Sequence, residues 1–396
     1  MYLSLICKPT HKCNLNCSYC YDAIARKKYP NSWTDEMVDR IAYLIGNSHD
    51  SVSFTWHGGE CLTLGHDWII DSTKHIKNVA EELNPNIELR FNLQSNGLLL
   101  TKEVVDELLA NKIMPAASYD GKNYQWKRSP NEKTRELIAD NVKYLYAQES
   151  GGTVSVISND NVGDLISIYE ELKEMGAVHL AFNIVFSPEI GKEENKNLDL
   201  FIDGWNKFFD YWLYDKSGIS ERTCTNYLRR FFNDKNVVCE RNVCLNHFLC
   251  IDNDGNIFPC DSAFKEAQNE DYLLGNIFDE NLESFFDVFE SEKYKLYKKN
   301  ISKKLIDCIS NCEIYHFCKG GCPSRSLSNF GDYTACDLFM KKWQEAFIEH
   351  IFEKIKNLST DDLLQLNSVA YSIIASNGYI SLKDIQDCFE KSLEEN

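Results

Sequence analysis

The sequence predicts an α/β protein whose first half is a parallel sheet, curved into an open barrel. From Tyr2 to about Val185, strand-like and helix-like segments alternate in about six repeats, and this alternation is typical of parallel sheets covered by helices. Polar or glycine-rich residues follow the strands directly. Since the carboxyl ends of the strands build the site in such folds, we expect the functional residues on that rim.

Strands of the first half are short apolar or alternating segments. They are predicted at residues 2–7, 51–56, 87–93, 114–119, 153–157 and 179–185. The helices between them begin at capping residues, such as Thr34 and Thr101, and keep apolar residues at helical spacing. They are predicted from residue 34, near 67–83, from residue 101, and at 133–147 and 162–175.

The rest of the chain divides into three parts. Helical spacing over Phe201–Tyr214 predicts a bridge, and Asp252-Asn253-Asp254-Gly255 predicts a hairpin within a cysteine-rich part. Phe339, Trp343 and Phe347 keep a four-residue step, which indicates helix packing rather than a substrate groove. Further helices are predicted from Ser359 and Ser381. The predicted boundaries are 1–190 for the barrel, 191–238 for the bridge, 239–340 for the cysteine-rich domain and 341–396 for the C-terminal helices.

Composition excludes several classes of protein. The net charge of −18 argues against a nucleic-acid partner, because phosphate binding needs a basic face. No apolar run approaches the roughly 20 residues that cross a bilayer, so we expect no membrane partner. The apolar stretch at the N-terminus is too short for a signal peptide. We therefore expect a cytoplasmic protein.

The 16 cysteines are the most unusual feature of the composition. Disulfides are disfavoured in the cytoplasm, so clustered cysteines there indicate metal ligands. Eleven of them form three groups: Cys13, Cys17 and Cys20; Cys244, Cys250 and Cys260; and Cys308, Cys312, Cys318, Cys322 and Cys336.

The first group has the spacing C-x3-C-x2-C, followed by the aromatic Tyr21. Three thiolates would leave one iron of a [4Fe–4S] cluster without a protein ligand. An open coordination position usually marks chemistry, because structural sites are closed. A zinc loop with its fourth ligand elsewhere, or a set of core cysteines, has the same spacing.

This motif, on the first strand-to-helix loop of an α/β chain, resembles that of the radical S-adenosylmethionine (SAM) superfamily. The resemblance implies that Cys13, Cys17 and Cys20 hold a [4Fe–4S] cluster whose fourth iron is chelated by SAM. Reductive cleavage of SAM then gives a 5′-deoxyadenosyl radical, which abstracts hydrogen from the substrate.

Three further segments resemble SAM-binding motifs of the same family. Gly58-Gly59-Glu60 resembles its GGE motif, whose glycines let the backbone approach the cofactor and whose glutamate accepts a hydrogen bond from the methionyl ammonium. On its own it is also a common turn with a solvated acid. Gln94-Ser95-Asn96-Gly97 and Ser118-Tyr119-Asp120-Gly121 resemble segments that face the ribose and carboxylate of SAM. The resemblance also places Tyr21 beside the adenine, and Arg128 or Arg135 against the carboxylate.

The C-terminal cysteines resemble those of the SPASM domain, which carries auxiliary [4Fe–4S] clusters. Cys308-x3-Cys312 departs from the family's C-x2-C opening by one residue. The resemblance implies an interleaved ligand pattern, and three [4Fe–4S] clusters in total. Auxiliary cluster I takes Cys244, Cys250, Cys260 and Cys322, and auxiliary cluster II takes Cys308, Cys312, Cys318 and Cys336. A pair of zinc sites is the alternative.

Together these resemblances predict a radical SAM/SPASM enzyme that modifies a peptide or protein. One expected substrate is a ribosomally made precursor peptide, crosslinked through a thioether or carbon–carbon bond; the other is a sulfatase, whose Cys or Ser becomes formylglycine. The residues beside Cys260 and Cys322 depart from those of anaerobic sulfatase maturases, which favours the peptide. We expect a low-potential electron donor such as ferredoxin or flavodoxin.

Asp261 is the predicted catalytic residue, by resemblance to enzymes in which an aspartate here removes a substrate proton. Its other interpretation is that it only accepts backbone hydrogen bonds. A non-catalytic iron–sulfur or zinc protein would explain the cysteines but not the motifs on the sheet rim.

Overall fold

A computed structural model describes residues 2–48, 50–148, 151–186, 196–232, 245, 247–260, 272–356 and 358–376 of the chain. Ten strands form one sheet. They are β1 (Tyr2–Cys7), β2 (Ser51–Trp56), β3 (Glu88–Ser95), β4 (Ile113–Ser118), β5 (Thr153–Ile157), β6 (His179–Ile184), β7 (Ser220–Glu221), β8 (Phe248–Ile251), β9 (Asn256–Phe258) and β10 (Gly275–Asn276).

Most of the helices follow the strands or close the C-terminal half. They are α1 (Ala23–Lys28), α2 (Asp35–Gly46), α3 (His66–Leu83), α4 (Lys102–Ala110), α5 (Glu132–Ala147), α6 (Leu165–Glu174), α7 (Leu198–Tyr214), α8 (Arg222–Phe231), α9 (Phe285–Glu290), α10 (Glu292–Asn311), α11 (Tyr315–Cys318), α12 (Pro323–Phe330), α13 (Leu338–Ile355), α14 (Thr360–Leu363) and α15 (Ser368–Ser376).

The sheet has the order β10-β9-β8-β1-β2-β3-β4-β5-β6-β7. Strands β1 to β7 are parallel to their neighbours, and each of the first six leads into a helix or loop that returns to the next strand. The outermost strands, β10 and β7, do not pair with each other over the described residues. The predicted open α/β barrel is therefore confirmed.

The hairpin of the cysteine-rich part belongs to the same sheet, which the sequence did not predict. Strand β8 pairs in parallel with β1, and β9 and β10 continue antiparallel beyond it. Leu249 and Ile251 are fully buried as a result. Because β8 joins β1, the strand that leads into the first cysteine group, the barrel and the cysteine-rich part share one hydrophobic core.

The predicted capping residues mark the first turns of helices α2 and α4 correctly. Thr34 and Thr101 cap α2 and α4, accepting hydrogen bonds from the backbone N–H groups of Met37 and Val104. Each cap satisfies a backbone donor that has no partner inside the helix.

The helix expected from Ser381 lies outside the described residues. No helix in the described part of the chain is both long and apolar enough to cross a lipid bilayer.

Helix α13 packs on the bridge helix α7 through aromatic side chains. Phe339 lies 5.2 Å from Phe201 between ring centroids, and Trp343 lies 5.6 Å from Trp205. Phe347 is fully buried. The prediction that this stripe serves helix packing is confirmed, since edge-on aromatic pairs at these distances are a favourable way to fill a core.

Candidate functional site

The first cysteine group lies on a segment that leaves β1 at the rim of the barrel, and we call residues 8–22 the cysteine loop. Two backbone hydrogen bonds fix it against the end of β2: Gly59 N–H donates to the carbonyl of Thr10 over 3.0 Å, and Glu60 N–H to that of Lys12 over 2.8 Å. Every cysteine in the described part of the chain is a free thiol. Those of the cysteine loop are thus available as ligands.

The two glycines of the GGE segment permit this close approach. A Cβ on Gly58 would overlap the carbonyl oxygen of Thr10, and one on Gly59 would overlap those of His11 and Lys12. Gly58 also has a φ of 117°, which side-chain-bearing residues rarely adopt. The glycines were predicted to let the backbone approach a cofactor. In the structure, their immediate neighbour is the backbone of the cysteine loop itself.

Glu60 joins the ends of β2 and β3. One carboxylate oxygen, Oε2, accepts hydrogen bonds from the Ser95 hydroxyl at 3.0 Å and from Asn96 N–H at 2.6 Å; Oε1 accepts one from Leu62 N–H at 3.2 Å. Burial raises the pKa of the Glu60 carboxyl, and these hydrogen bonds oppose that rise. The residue was predicted to bind the methionyl ammonium; in the structure its carboxylate joins the ends of β2 and β3.

Polar residues at the end of β3 contact the cysteine loop and the end of β4. The Asn96 side-chain amide donates to Asn14 Oδ1 at 2.7 Å and to Cys13 Sγ at 3.6 Å. The Gln94 amide donates to the Ser118 hydroxyl at 3.1 Å, across to β4. The two predicted SAM-binding segments at the ends of β3 and β4 are therefore linked by a hydrogen bond, and the first of them contacts Cys13.

Asp120, which follows β4, is the centre of a buried charged group. Its Oδ1 accepts a hydrogen bond from Val156 N–H at 2.9 Å, and its Oδ2 accepts one from the hydroxyl of Tyr19, a residue within the cysteine loop. Arg128 donates to the Tyr19 hydroxyl at 3.0 Å and lies 4.0 Å from Asp120. Burial raises the pKa of Asp120, and the charge of Arg128 opposes this.

Arg128 and Arg135 were both predicted as partners of the SAM carboxylate, and the structure separates them. Arg128 is only 5% exposed, and its charge lowers the pKa of the Cys17 thiol against the effect of burial. Arg135 instead donates to the backbone carbonyls of Ser129 and Pro130 at 3.1 and 2.8 Å. Of the two, Arg128 has its charge directed towards the cysteine loop.

A second buried charged group lies within the cysteine loop and was not predicted from the sequence. Asp22 binds His11 Nδ1 at 2.8 Å and Lys8 Nζ at 3.4 Å. Burial would raise the pKa of Asp22, but Lys8 and His11 together lower it to about 2. Nearby, Arg26 donates to Leu15 O at 2.7 Å and lies 3.5 Å from Cys20 Sγ. Only the acidic residue directly after Cys20-Tyr21 could have indicated this group.

The donor set of the cysteine loop fits an iron–sulfur cluster. Burial raises the pKa of Cys17 to about 11 and also raises that of Cys20. Such thiols become thiolates only when a positively charged group binds them. Three thiolates around one loop, with polar residues beyond them, supply the ligands of an open [4Fe–4S] site.

The last group of cysteines forms a second site, which we call the five-cysteine cavity. It is lined by Cys308, Cys312, Cys318, Cys322 and Cys336. A left-handed turn shapes it: Lys319, Gly320 and Gly321 have φ values of 50°, 84° and 76°. The close grouping fits a four-thiolate cluster with a fifth cysteine at its edge.

The interleaved ligand pattern remains a prediction. Cys322 was assigned to auxiliary cluster I, and it lines the five-cysteine cavity. Of its expected partners, Cys250 is buried on β8 and Cys260 is partly buried just after β9, whereas Cys244 lies outside the described residues. The catalytic prediction for Asp261 also lies outside them.

Arg325 connects the five-cysteine cavity to the barrel rim. It lines the cavity and donates to the carbonyls of Val185 and Ile184, at the end of β6, over 3.0 and 2.8 Å. Its guanidinium lies 4.2 Å from the ring centroid of Phe186, whose ring is 6.4 Å from that of Tyr21. A chain of contacts therefore runs from the cavity to the cysteine loop.

Comparison with known proteins identifies both halves. Residues 7–146 match the radical SAM superfamily, and residues 239–323 match SPASM, an iron–sulfur cluster-binding domain. Together these matches cover more than half of the chain. The chain carries a radical SAM domain followed by a SPASM domain, so it is an enzyme that uses SAM and iron–sulfur clusters in radical chemistry.

Relatives match it over nearly its full length. A cysteine-type anaerobic sulfatase-maturating enzyme of Clostridium perfringens is 25% identical over 385 residues, which are 91% of this chain and 99% of the relative. A serine-type anaerobic sulfatase-maturating enzyme of Bacteroides thetaiotaomicron is 21% identical over 374 residues, or 86% of each chain.

Two solved structures show the same fold. The structure described as native anSMEcpe with bound AdoMet and Cp18Cys peptide superposes with a TM-score of 0.74 at 22% identity, covering 89% of this chain and 98% of that one. Streptococcus suis SuiB bound to precursor peptide SuiA gives a TM-score of 0.52 at 18% identity, covering 82% and 72%.

Proposed function

We propose that this enzyme oxidises a side chain of a peptide or protein, using three [4Fe–4S] clusters and SAM. The observation that carries the proposal is the connection made by Arg325 between the five-cysteine cavity and the rim that holds the cysteine loop. An oxidation needs such a connection, because an electron must leave the substrate after the first hydrogen is removed.

A cluster and SAM bound at the cysteine loop would supply the chemistry of the first step, the removal of one hydrogen atom from a substrate C–H bond. The balance of the oxidation then requires that the substrate lose one proton and one electron. Asp261 would accept the proton, and the SPASM cysteines would hold an auxiliary cluster able to accept the electron.

The residues around the cysteine loop would bind and orient the cofactor. Arg128, buried beside Asp120 and Tyr19, supplies the positive charge for the carboxylate of SAM. Tyr21, which is next to Phe186, would pack beside the adenine. Because these side chains are fixed by one another before the cofactor binds, little ordering is needed at the moment of reaction.

Two substrate classes remain, and different observations support them. Similarity to sulfatase-maturating enzymes over nearly the full length supports a sulfatase segment, whose Cys or Ser would become formylglycine. The departures beside Cys260 and Cys322, with the fold shared with SuiB, support a precursor peptide crosslinked through a thioether or carbon–carbon bond. The sulfatase segment is tested first, because the similarity that supports it extends over 91% of the chain.

The test uses anaerobically purified, iron-loaded protein with SAM. Dithionite serves as the reductant in place of the expected cytoplasmic donor, such as ferredoxin or flavodoxin. We expect about twelve irons per chain and release of 5′-deoxyadenosine. One reaction contains a sulfatase-derived peptide with its target Cys or Ser. The other contains a short peptide encoded beside the gene, and mass spectrometry reads both products.

Two variants serve as controls. Cys17→Ala should abolish 5′-deoxyadenosine release, whereas Cys318→Ala should retain it but yield no oxidised peptide. Formylglycine in the first peptide or a crosslink in the second would each identify the class. Full iron content and steady 5′-deoxyadenosine release, with neither peptide changed, would contradict side-chain oxidation of these substrates.

A further inference from the structure

Gln344, on helix α13, has an environment that its sequence context does not suggest. Its side chain is fully buried, and neither Oε1 nor Nε2 finds a hydrogen-bond partner in the described part of the chain. A buried amide without partners is costly, because it has given up its hydrogen bonds to water. Such a group calls for a specific explanation.

The position of Gln344 supplies one, because this residue also lines the five-cysteine cavity. Helix α13 has one buried stripe whose two edges have different neighbours. Trp343 and Phe347 pack against α7 and α8 in the aromatic core, whereas Met340 and Gln344 line the cavity. The stripe therefore buries aromatic side chains along one edge and presents an amide to the cysteines along the other.

We propose that the Nε2–H group of Gln344 donates a hydrogen bond to a sulfur of the auxiliary cluster held in the five-cysteine cavity, and thereby raises the reduction potential of that cluster. The inference rests on the proposed function, in which this cavity holds a [4Fe–4S] cluster. It assigns a role to helix α13, which follows the cysteines and lies beyond the matched SPASM segment.

The physical reason is electrostatic. Reduction adds one negative charge to the cluster, and hydrogen bonds to cluster sulfurs stabilise the more negative state, particularly where water is excluded. Mutation of a group that hydrogen-bonds a metal's ligands typically costs 10- to 100-fold in metal affinity or activity. A cluster that accepts an electron from the substrate is favoured by such a donor, because the donor makes it the better acceptor.

The test is a reductive titration followed by electron paramagnetic resonance. It uses the full chain with Cys13, Cys17 and Cys20 replaced by Ala, so that only the SPASM clusters are present. In Gln344→Met, which keeps the length but loses the donor, we expect the equilibrium constant for reduction of one cluster to fall about tenfold. This corresponds to about 59 mV for one electron. Gln344→Glu replaces the donor with a negatively charged acceptor, so it should lower this equilibrium constant at least as far.

Trp343→Phe is the matched control. The indole N–H of Trp343 is also buried without a partner in the described residues, but the ring packs in the aromatic core and does not line the cavity. Removing this donor should leave both potentials unchanged. Unchanged potentials in Gln344→Met at full iron content, or an equal shift in Trp343→Phe, would overturn the proposal.

Thermal unfolding gives a second measurement that does not depend on electron transfer. In the loaded protein, Gln344→Met removes a hydrogen bond to the cluster and should lower the Tm. In iron-free protein this hydrogen bond does not exist, so the Tm should not fall. A change of the same sign in both forms would argue against a bond to the cluster. Zinc in place of iron in the wild-type cavity would instead contradict the proposed function.

Discussion

The two cysteine sites differ in how the surrounding protein holds them. Within and beside the cysteine loop are ion pairs with little solvent exposure: the side chains are 4% and 8% exposed in Lys8–Asp22, and 6% and 1% exposed in Arg128–Asp120. At the five-cysteine cavity, Lys341 pairs with Glu345, and these side chains are 31% and 39% exposed.

This difference suggests that the two sites depend differently on their metal. The cysteine loop is attached to the ends of the barrel strands by buried charges and hydrogen bonds that exist without a cluster. The five-cysteine cavity is formed by helix ends and by the left-handed turn at residues 319–321. Because thiolate–metal bonds would supply most of the remaining constraint there, we expect cluster binding and folding to be coupled at the second site.

Removal of iron should therefore affect the two sites very unequally. In anaerobically chelated protein, we expect the amides of residues 308–322 to lose nearly all protection from hydrogen exchange, while those of β1 to β4 keep it. Local opening free energies can lie anywhere between about zero and the global value. Peptide-level exchange before and after chelation measures both regions in one sample. Equal loss of protection at the two sites would contradict the comparison.

Breaking a buried ion pair within the cysteine loop tests the same comparison by mutation. Asp22→Asn removes the buried negative charge that contacts Lys8 and His11, and we expect it to lower the free energy of unfolding of iron-free protein by about 3–5 kcal/mol. Asp203→Asn is the control, because Asp203 pairs with Lys207 on the exposed face of α7. Its effect should stay below about 0.5 kcal/mol. Urea unfolding measures both, and equal effects would mean that the buried pair does not brace the loop.

The contact between the GGE segment and the cysteine loop should be sensitive to a single methyl group. In Gly59→Ala, the new Cβ overlaps two backbone carbonyls that cannot move independently of the loop. We expect a loss of about 1–3 kcal/mol in stability, together with a lower iron content at the first site. A Cβ at Gly163 meets nothing within 4 Å, so Gly163→Ala should be neutral. Full iron loading of Gly59→Ala would show that the loop can shift without cost.

Features encoded locally were predictable from the sequence. All six barrel strands and the caps of α2 and α4 follow from patterns a few residues long, and the candidate residues after β2, β3 and β4 followed from the rule that strand ends build the site. These residues do lie together on the rim. In contrast, the pairing of β8 with β1 joins segments more than 240 residues apart, and no local pattern predicts it.

Features that depend on long-range packing could not be predicted. No pattern in the sequence singled out Tyr19, whose hydroxyl joins Asp120 to Arg128. The same holds for Gln344, which is fully buried beside five cysteines. In both cases the function depends on which other element lies opposite the side chain, and local periodicity contains no information about that.

The choice between Arg128 and Arg135 is the site question that the sequence left open, and a matched pair of conservative variants can decide it. Arg128→Lys keeps a positive charge beside Asp120 but loses the planar fork that can bind Tyr19 and a carboxylate together. We expect SAM to bind about tenfold more weakly to the iron-loaded protein, the equivalent of one charge-assisted hydrogen bond. In Arg135→Lys, only contacts with the carbonyls of Ser129 and Pro130 change, so affinity should remain within about twofold. Equilibrium binding of SAM without reductant measures both, and the larger effect at Arg135 would reverse the assignment.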